Sequence, residues 1–305
     1  MQSLWMILAA LLFSLMGVAV KLASSQYNTW EIVLYRGLIG VVVIGGMIAL
    51  NARRTGSSIR DALATRYIRM HLTRGISGTI ALSLWFFSIA GLPIATAMTI
   101  NYSSPLFIGA WIAWRAHRAG DRIDVAMMAA LMAGFVGVLL LLQPTVASNQ
   151  WLFAIIGTTA AALTAIAYLS VKALGVAGEP SARIVFYFSA MNAASGLVGA
   201  LLFGFHAHNA RGLALLACVG ISASVAQLAM TRAYASGGTL LTANLGFTGI
   251  VFSSIFGIAI FGDVIHLDSA FGMAIIIGSG VLATLMTARA LKRTKAEPDE
   301  VVRSI

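Results

Sequence analysis

Charge is scarce in this chain. Its 305 residues include 10 Asp and Glu and 20 Lys and Arg, so charged side chains make up 10% while 59% are hydrophobic. A soluble domain carries about 25% charged residues. With a mean hydropathy of +0.91, the chain cannot keep its surface in water, and lipid is the solvent for most of it. Cysteine is almost missing as well: Cys218 stands alone, which excludes an internal disulfide and a cysteine metal cluster. No Lys or Arg precedes the first apolar stretch, which starts MQSLW and runs to Lys21. It does not read as a secretory signal. The net charge of +10 lies in short segments between apolar runs and in the tail. It reads as topology-setting charge rather than a nucleic-acid surface.

What is present is a series of long apolar runs. A spanning helix needs about 20 mainly apolar residues. Ten candidates occur, at about 3–22, 30–50, 71–90, 94–114, 124–143, 151–173, 182–205, 212–233, 239–261 and 268–288. The runs are continuous, as in GVVVIGGMIAL, not alternating as barrel strands are. Ten crossings place both termini on one side. Placed inside, the segment after the second span holds Arg53, Arg54, Arg60, Arg66, Arg69 and Arg74, and that after the fourth holds Arg115, Arg118 and Arg122. Lys172, Arg183, Arg232 and five tail cations bring the inside share to seventeen of the twenty. The positive-inside bias therefore predicts cytoplasmic N- and C-termini.

Two acidic corners point to a repeat. Residues 115–124 read RAHRAGDRID and residues 261–268 read FGDVIHLD, so Gly120-Asp121-Arg122-Ile123 recurs as Gly262-Asp263-Val264-Ile265. Other pieces recur in the same order: IVLYR at 32–36 and IVFYF at 184–188, Lys21 and Lys172, Tyr102 in INYSSP and Phe247 in LGFTGI. Such ordered recurrence indicates two halves of five helices. Five is odd, so the second half enters the membrane inverted. That explains why the first corner carries arginines and the second has none. The expected fold is an all-α integral membrane protein with ten transmembrane helices as two inverted five-helix repeats (5+5). The halves are 1–147 and 148–290, followed by a basic cytoplasmic tail at 291–305. Inverted repeats are typical of transporters, with the substrate site at the repeat interface.

The stretch TRAYASGGTLLTANLGFTGIVFSSIFGIAIFGDVIHLDSAFGMAIIIGSGVLAT (231–284) and its weaker partner WFFSIAGLPIATAMTINYSSPLFIGAWIAW (85–114) resemble the EamA-type transporters of the drug/metabolite transporter superfamily. The resemblance covers nearly the whole chain in two copies. It implies ten helices in inverted halves and transport of small metabolites, usually export. Within the superfamily the pattern is most similar to YddG-like bacterial exporters of aromatic amino acids. Departures are Asp121 and Asp263 where the family usually has Glu, the insertion RAHRAG, and Met16-Gly17 in place of a frequent Trp-Gly. They leave the cargo open.

Polar residues deep in the spans are the candidate substrate groups. Asn101, Tyr102 and Ser104 precede or adjoin Pro105, which has no N–H to offer the Asn101 carbonyl. A freed carbonyl at that depth needs another partner or a wet cavity. Pro105 is thus a hinge candidate, matched in the ninth span by Gly246 and Gly249 around Asn244, Phe247 and Thr248. Trp85, Tyr168 and Arg36 complete the cavity candidates, with Ser83, Thr164, Asn192 and Gln227 also deep. Arg36 lies five residues past Glu31, about 7–8 Å deeper along a helix. It could draw a carboxylate into a vestibule, snorkel outward, or pair with Glu31. Each candidate also has a packing reading, since Ser and Thr bond their own helix and amides bridge helices. Trp5, Trp30, Trp114 and Trp151 sit near span ends as interface anchors. Lys21 and Lys172 read as snorkelling caps, and Asp121 and Asp263 as helix caps or surface pairs.

No Asp or Glu lies in the middle of any expected span. Proton-coupled antiporters commonly use one, so facilitated diffusion or coupling through another group is expected. The five histidines are scattered and form no metal or catalytic cluster. No catalytic residue, cofactor or metal is expected. The partners expected are a small-molecule substrate and the bilayer, in the inner membrane, with monomer or homodimer left open. The expected activity is export of amino acids, aromatic ones included, by alternating access. A drug or other metabolite permease, an integral membrane enzyme and a non-transporting scaffold or sensor are the alternatives.

Overall fold

The computed structural model describes residues 2–92, 94–121, 124–143, 149–262 and 267–303. Every regular element among them is helical. In chain order the helices are α1 (Trp5–Ala23), α2 (Thr29–Thr55), the short α3 (Ile59–Leu63), α4 (Ile68–Gly91), α5 (Ile94–Asn101), α6 (Ser104–Ala119) and α7 (Val125–Leu142). There follow α8 (Trp151–Val176), α9 (Ser181–Phe203), α10 (Ala210–Ser236), α11 (Thr239–Gly246), α12 (Thr248–Phe256), a π-helical turn at Gly257–Phe261, and α13 (Leu267–Arg303). The short α3 in the arginine-rich segment has no counterpart in the sequence expectation.

Among the described residues, eight stretches are long and apolar enough to cross a membrane: Gln2–Ala23, Thr29–Thr55, Val125–Leu142, Trp151–Val176, Ser181–Phe203, Ala210–Ser236, Thr239–Phe261 and Ala270–Thr287. Their outer faces would not survive in water. Leu202 is 75% exposed and Val42 71%, on a surface that only lipid covers favourably.

Helix ends follow local chemistry. The Asn28 side chain accepts from the Glu31 N–H while Glu31 accepts from the Asn28 N–H, both at 3.0 Å, a reciprocal cap that starts α2. The Asn209 side chain accepts from Gly212 N–H at 2.7 Å and starts α10. α6 stops at Gly120, whose φ of 72° is the left-handed conformation open to glycine. The cap of α7 is Asp124, which accepts from Met127 N–H at 3.0 Å. Asp121, expected in that role, is exposed one turn earlier, and Asp263 lies outside the described residues.

The helices pack in a regular scheme. α2 lies on α9, α7 on α13, α4 on α8, and α1 on α10. Small residues permit the closest approaches. A Cβ on Gly37 would collide with the Ala193 backbone, and one on Gly196 with the Leu34 backbone. Gly137 and Gly272 meet the same way between α7 and α13. Two buried carboxylates tie the ends of the bundle. Glu31 accepts from His206 N–H at 2.8 Å and meets His206 Nδ1 at 2.7 Å. Glu179, before α9, meets His71 Nε2 at 2.9 Å and Arg183 Nη1 at 3.3 Å.

Candidate functional site

Two of the long apolar runs are interrupted, and the interruptions build the site. α5 ends at Asn101 and α6 begins at Ser104. Ser103 N–H reaches back only three residues to the Ile100 carbonyl at 3.0 Å, and the Ser103 hydroxyl bonds the same carbonyl at 2.6 Å. Pro105 then sits in the first turn of α6, where its missing N–H is least costly. The helix is interrupted at Tyr102–Ser103, and Pro105, the hinge candidate, stands just after the break in the first turn of α6. The second interruption repeats the first. Phe247 N–H reaches Asn244 O at 3.1 Å, and the Thr248 hydroxyl bonds Leu245 O at 2.7 Å. Ser103 and Thr248 thus do the same work on Ile100 and Leu245, at the spacing that relates Tyr102 to Phe247.

Between the two breaks lies a cavity of about 300 Å³. Arg36, Trp85, Asn101, Tyr102, Ser104, Pro105, Tyr168, Gly246 and Gly249 all line it. Thr164 and Gln227 do so too, while Asn192 lines a smaller neighbouring pocket that Arg36, Phe188 and Gln227 share. The breaks face each other, for a Cβ on Gly249 would lie 3.0 Å from the Tyr102 hydroxyl. The Gly249 carbonyl accepts from Ser14 Oγ at 2.8 Å.

Asn244, Phe247 and Thr248 are not among the lining residues. Asn244 Oδ1 and the Phe247 ring lie against Gly134 of α7, and the Phe247 ring is 6.4 Å from that of Phe135. Depth along a helix says nothing about which face a residue occupies, and Asn244 and Phe247 face α7 rather than the cavity.

The cavity is strongly basic. Arg36 does not pair with Glu31, whose oxygens are taken by His206 and the α2 cap. Its guanidinium instead lies 5.9 Å from the Phe188 ring centre. The sequence pattern counts Arg74 with the inside cations although the third expected span begins at 71; it lies within α4, 3% exposed, and lines the cavity. Its guanidinium sits 3.9 Å over the same Phe188 ring and donates to Gln227 Oε1 at 3.4 Å. The available signal was the small-residue run after it, Gly75, Ser77 and Gly78, which marks that part of α4 as packed among helices. Phe188 is the repeat mate of Arg36 in the IVLYR and IVFYF pair.

The C-terminal ends of α8 and α10 are joined beside the cavity. α8 and α10 converge at their C-terminal turns, where a Cβ on Gly175 would strike Ala235. Lys172 Nζ donates to Gly237 O at 2.9 Å and Ala235 O at 3.3 Å. Tyr168 stacks on Tyr234 with ring centres 5.0 Å apart. Lys172 is thus a cap that fastens two helices, not only a snorkelling end. Lys21 lies 3.7 Å from the Phe261 ring centre.

A polar, basic cavity enclosed by helices whose outer faces require lipid is the construction of a multi-pass membrane transporter. Comparison with known proteins gives the family. The model of the EamA-like transporter family matches residues 1–143. The pseudopaline exporter CntI of Pseudomonas aeruginosa is 30% identical over 291 residues, covering 95% of each chain. A riboflavin transporter of Rhizobium johnstonii is 30% identical over 77% of this chain and 74% of its own. An S-adenosylmethionine uptake transporter of Rickettsia prowazekii is 21% identical over 90% of this chain and 88% of its own. A crystal structure with 19% identity superposes with a TM-score of 0.79, over 95% of this chain and 98% of that one, and shows the same fold. The chain belongs to the EamA-like transporter family, whose members here move small metabolites. Aromatic amino acids are named for none of these three relatives.

Proposed function

We propose that the protein exports a small metabolite across the inner membrane by alternating access. In this reading α4 and the α5–α6 pair add two crossings to the eight apolar stretches. Ten helices then form inverted halves, 1–147 and 148–290, with both termini and the 291–305 tail in the cytoplasm. The observation that carries it is the cavity bounded by two helix breaks of matching geometry, one from each half. Broken helices at a repeat interface are where transporters of this kind hold substrate. The helix pairing supports the reading, because α4 on α8 and α1 on α10 exchange under the repeat, while α2–α9 and α7–α13 map onto themselves. With cytoplasmic termini, the α8–α10 contact lies on the cytoplasmic side, and in this reading it would close that side. The two halves would rock about the α2–α9 crossing, bending at Tyr102–Ser103 and at Phe247.

The cavity volume of about 300 Å³ is at the small end of ligand sites, which fits a compact metabolite. Amino acids are the first cargo to test, aromatic ones included. Guanidinium groups take a carboxylate, and the rings of Trp85, Tyr168 and Phe188 offer apolar faces. Export is favoured by the likeness to a protein named as an exporter over 95% of each chain.

The test needs no knowledge of the cargo. In a Cys218→Ser background, Ser104→Cys should react with impermeant maleimide applied from either face of the membrane. Arg118→Cys and Ile265→Cys should react from opposite faces. Labelling of Ser104→Cys from one face alone would end the alternating-access reading, and labelling of the other two from one and the same face would end the inverted arrangement.

A further inference from the structure

Arg36 and Arg74 share one cavity, and among the described residues no acidic side chain lines it. The buried carboxylates elsewhere are already engaged, Glu31 by His206 and Glu179 by His71 and Arg183. The ion pairs among the described residues include neither cavity arginine. The Nε of each is buried without a hydrogen-bond partner. Phe188 and Gln227 hold Arg74 in place, but a ring face and a neutral amide do not cancel a charge. Two uncompensated guanidinium groups inside a membrane protein are costly, and they persist in one cavity only if something that enters it supplies the countercharge.

Resting on the transport reading above, we infer that the substrate carries at least two acidic groups, one for each guanidinium, joined by a short body that lies against Phe188 and Tyr168. The planar fork of arginine matches a carboxylate with two parallel hydrogen bonds. A simple zwitterion fits less well, because it brings one carboxylate for two cations and adds an ammonium that both repel. A cationic substrate is disfavoured outright. Gln227 is a positioning residue that aims Arg74 at the second acid.

The test uses the full chain, purified in detergent, with thermal unfolding followed in glutarate, citrate, inorganic phosphate or propionate at matched ionic strength. Glutarate or citrate should raise the midpoint above that in propionate in a saturable way. Arg36→Gln and Arg74→Gln should each weaken half-saturation by about ten-fold or more, and the double variant should lose the effect. Ligand-free, neither variant should melt below the parent, since each removes an unpaired buried charge. Arg36→Lys and Arg74→Lys keep the charge without the fork, and should retain part of the effect. A response to phosphate alone would replace the dicarboxylate with a phosphorylated ligand and overturn the dicarboxylate assignment. Equal midpoints in all four salts, or an unchanged citrate response in both Gln variants, would overturn the inference. Labelled phenylalanine counterflow in liposomes separates the two levels: flux of phenylalanine without any dianion response leaves the transport reading standing and removes only the dianionic substrate.

Discussion

Glu179 closes the end of the bundle where α3, α4, α8 and α9 meet. Burial alone would push its carboxyl up. Hydrogen bonds from His71 and Thr65 and the Arg183 guanidinium outweigh burial and hold it below the usual 4.5. A carboxyl held low in the folded state adds stability that is complete above its ordinary value and fades as pH falls through the folded one. Glu179→Gln should therefore cost about 1–2 kcal/mol at neutral pH. The gap between variant and parent should narrow in melts below about pH 4. A constant gap from pH 7 to pH 3 would show that packing, not ionisation, is what Glu179 supplies. Legibility at this scale was uneven. Arg36 stood out because Glu31 fixed its depth. Arg74 did not, because it follows Arg66 and Arg69 and looks like one more loop cation. Asn244 looked central by depth, but its face is set by α7, which lies a hundred residues away in sequence.

At the scale of the helix, close approach and interruption were both written locally. Residues 196–204 read GLVGALLFG, with small residues four apart, and the structure uses Gly196 against Leu34 and Gly37 against Ala193 to bring α2 and α9 together. Gly196→Ala should force these helices apart and cost about 1–3 kcal/mol, read as a lower melting midpoint with a proportionate loss of flux. Unchanged stability would mean that the crossing relaxes freely, and that it is not the rigid axis proposed for rocking. Pro105 announced the first break but not its position. Position depends on which carbonyl the nearby hydroxyl takes, and Ser103 bonds Ile100 O, one residue before the Asn101 carbonyl that Pro105 leaves without its donor. The second break has no proline and was legible only as the repeat partner of the first. The short α3 was invisible because Ser58, its cap, looks like any loop serine until Asp61 N–H is seen to donate to it at 3.0 Å.

At the scale of the molecule, composition gave the solvent and the long apolar runs gave a chain of membrane helices, because both are sums over many residues. Cargo is not such a sum. It depends on a few side chains that helices far apart in sequence bring together, as Arg36 from α2, Arg74 from α4 and Phe188 from α9 show. Relatives named for pseudopaline, riboflavin and S-adenosylmethionine fit that view of one frame with interchangeable contents.

The clasp between α8 and α10 bears on the economy of the cell as a whole. A pore wet from end to end would let protons follow its polar lining and discharge the membrane. In the proposed alternating-access cycle, Lys172, which bonds the carbonyls of Ala235 and Gly237, would hold the cytoplasmic mouth closed while the other is open. Lys172→Ala should thus make the protein leaky before it makes it slow, and liposomes carrying it should dissipate an imposed pH gradient faster than those carrying the parent. Equal dissipation would assign the seal to the tyrosine stack alone. Under the proposed cycle, such a closure would let a cell keep many copies of the protein in its membrane without draining the gradients that power everything else.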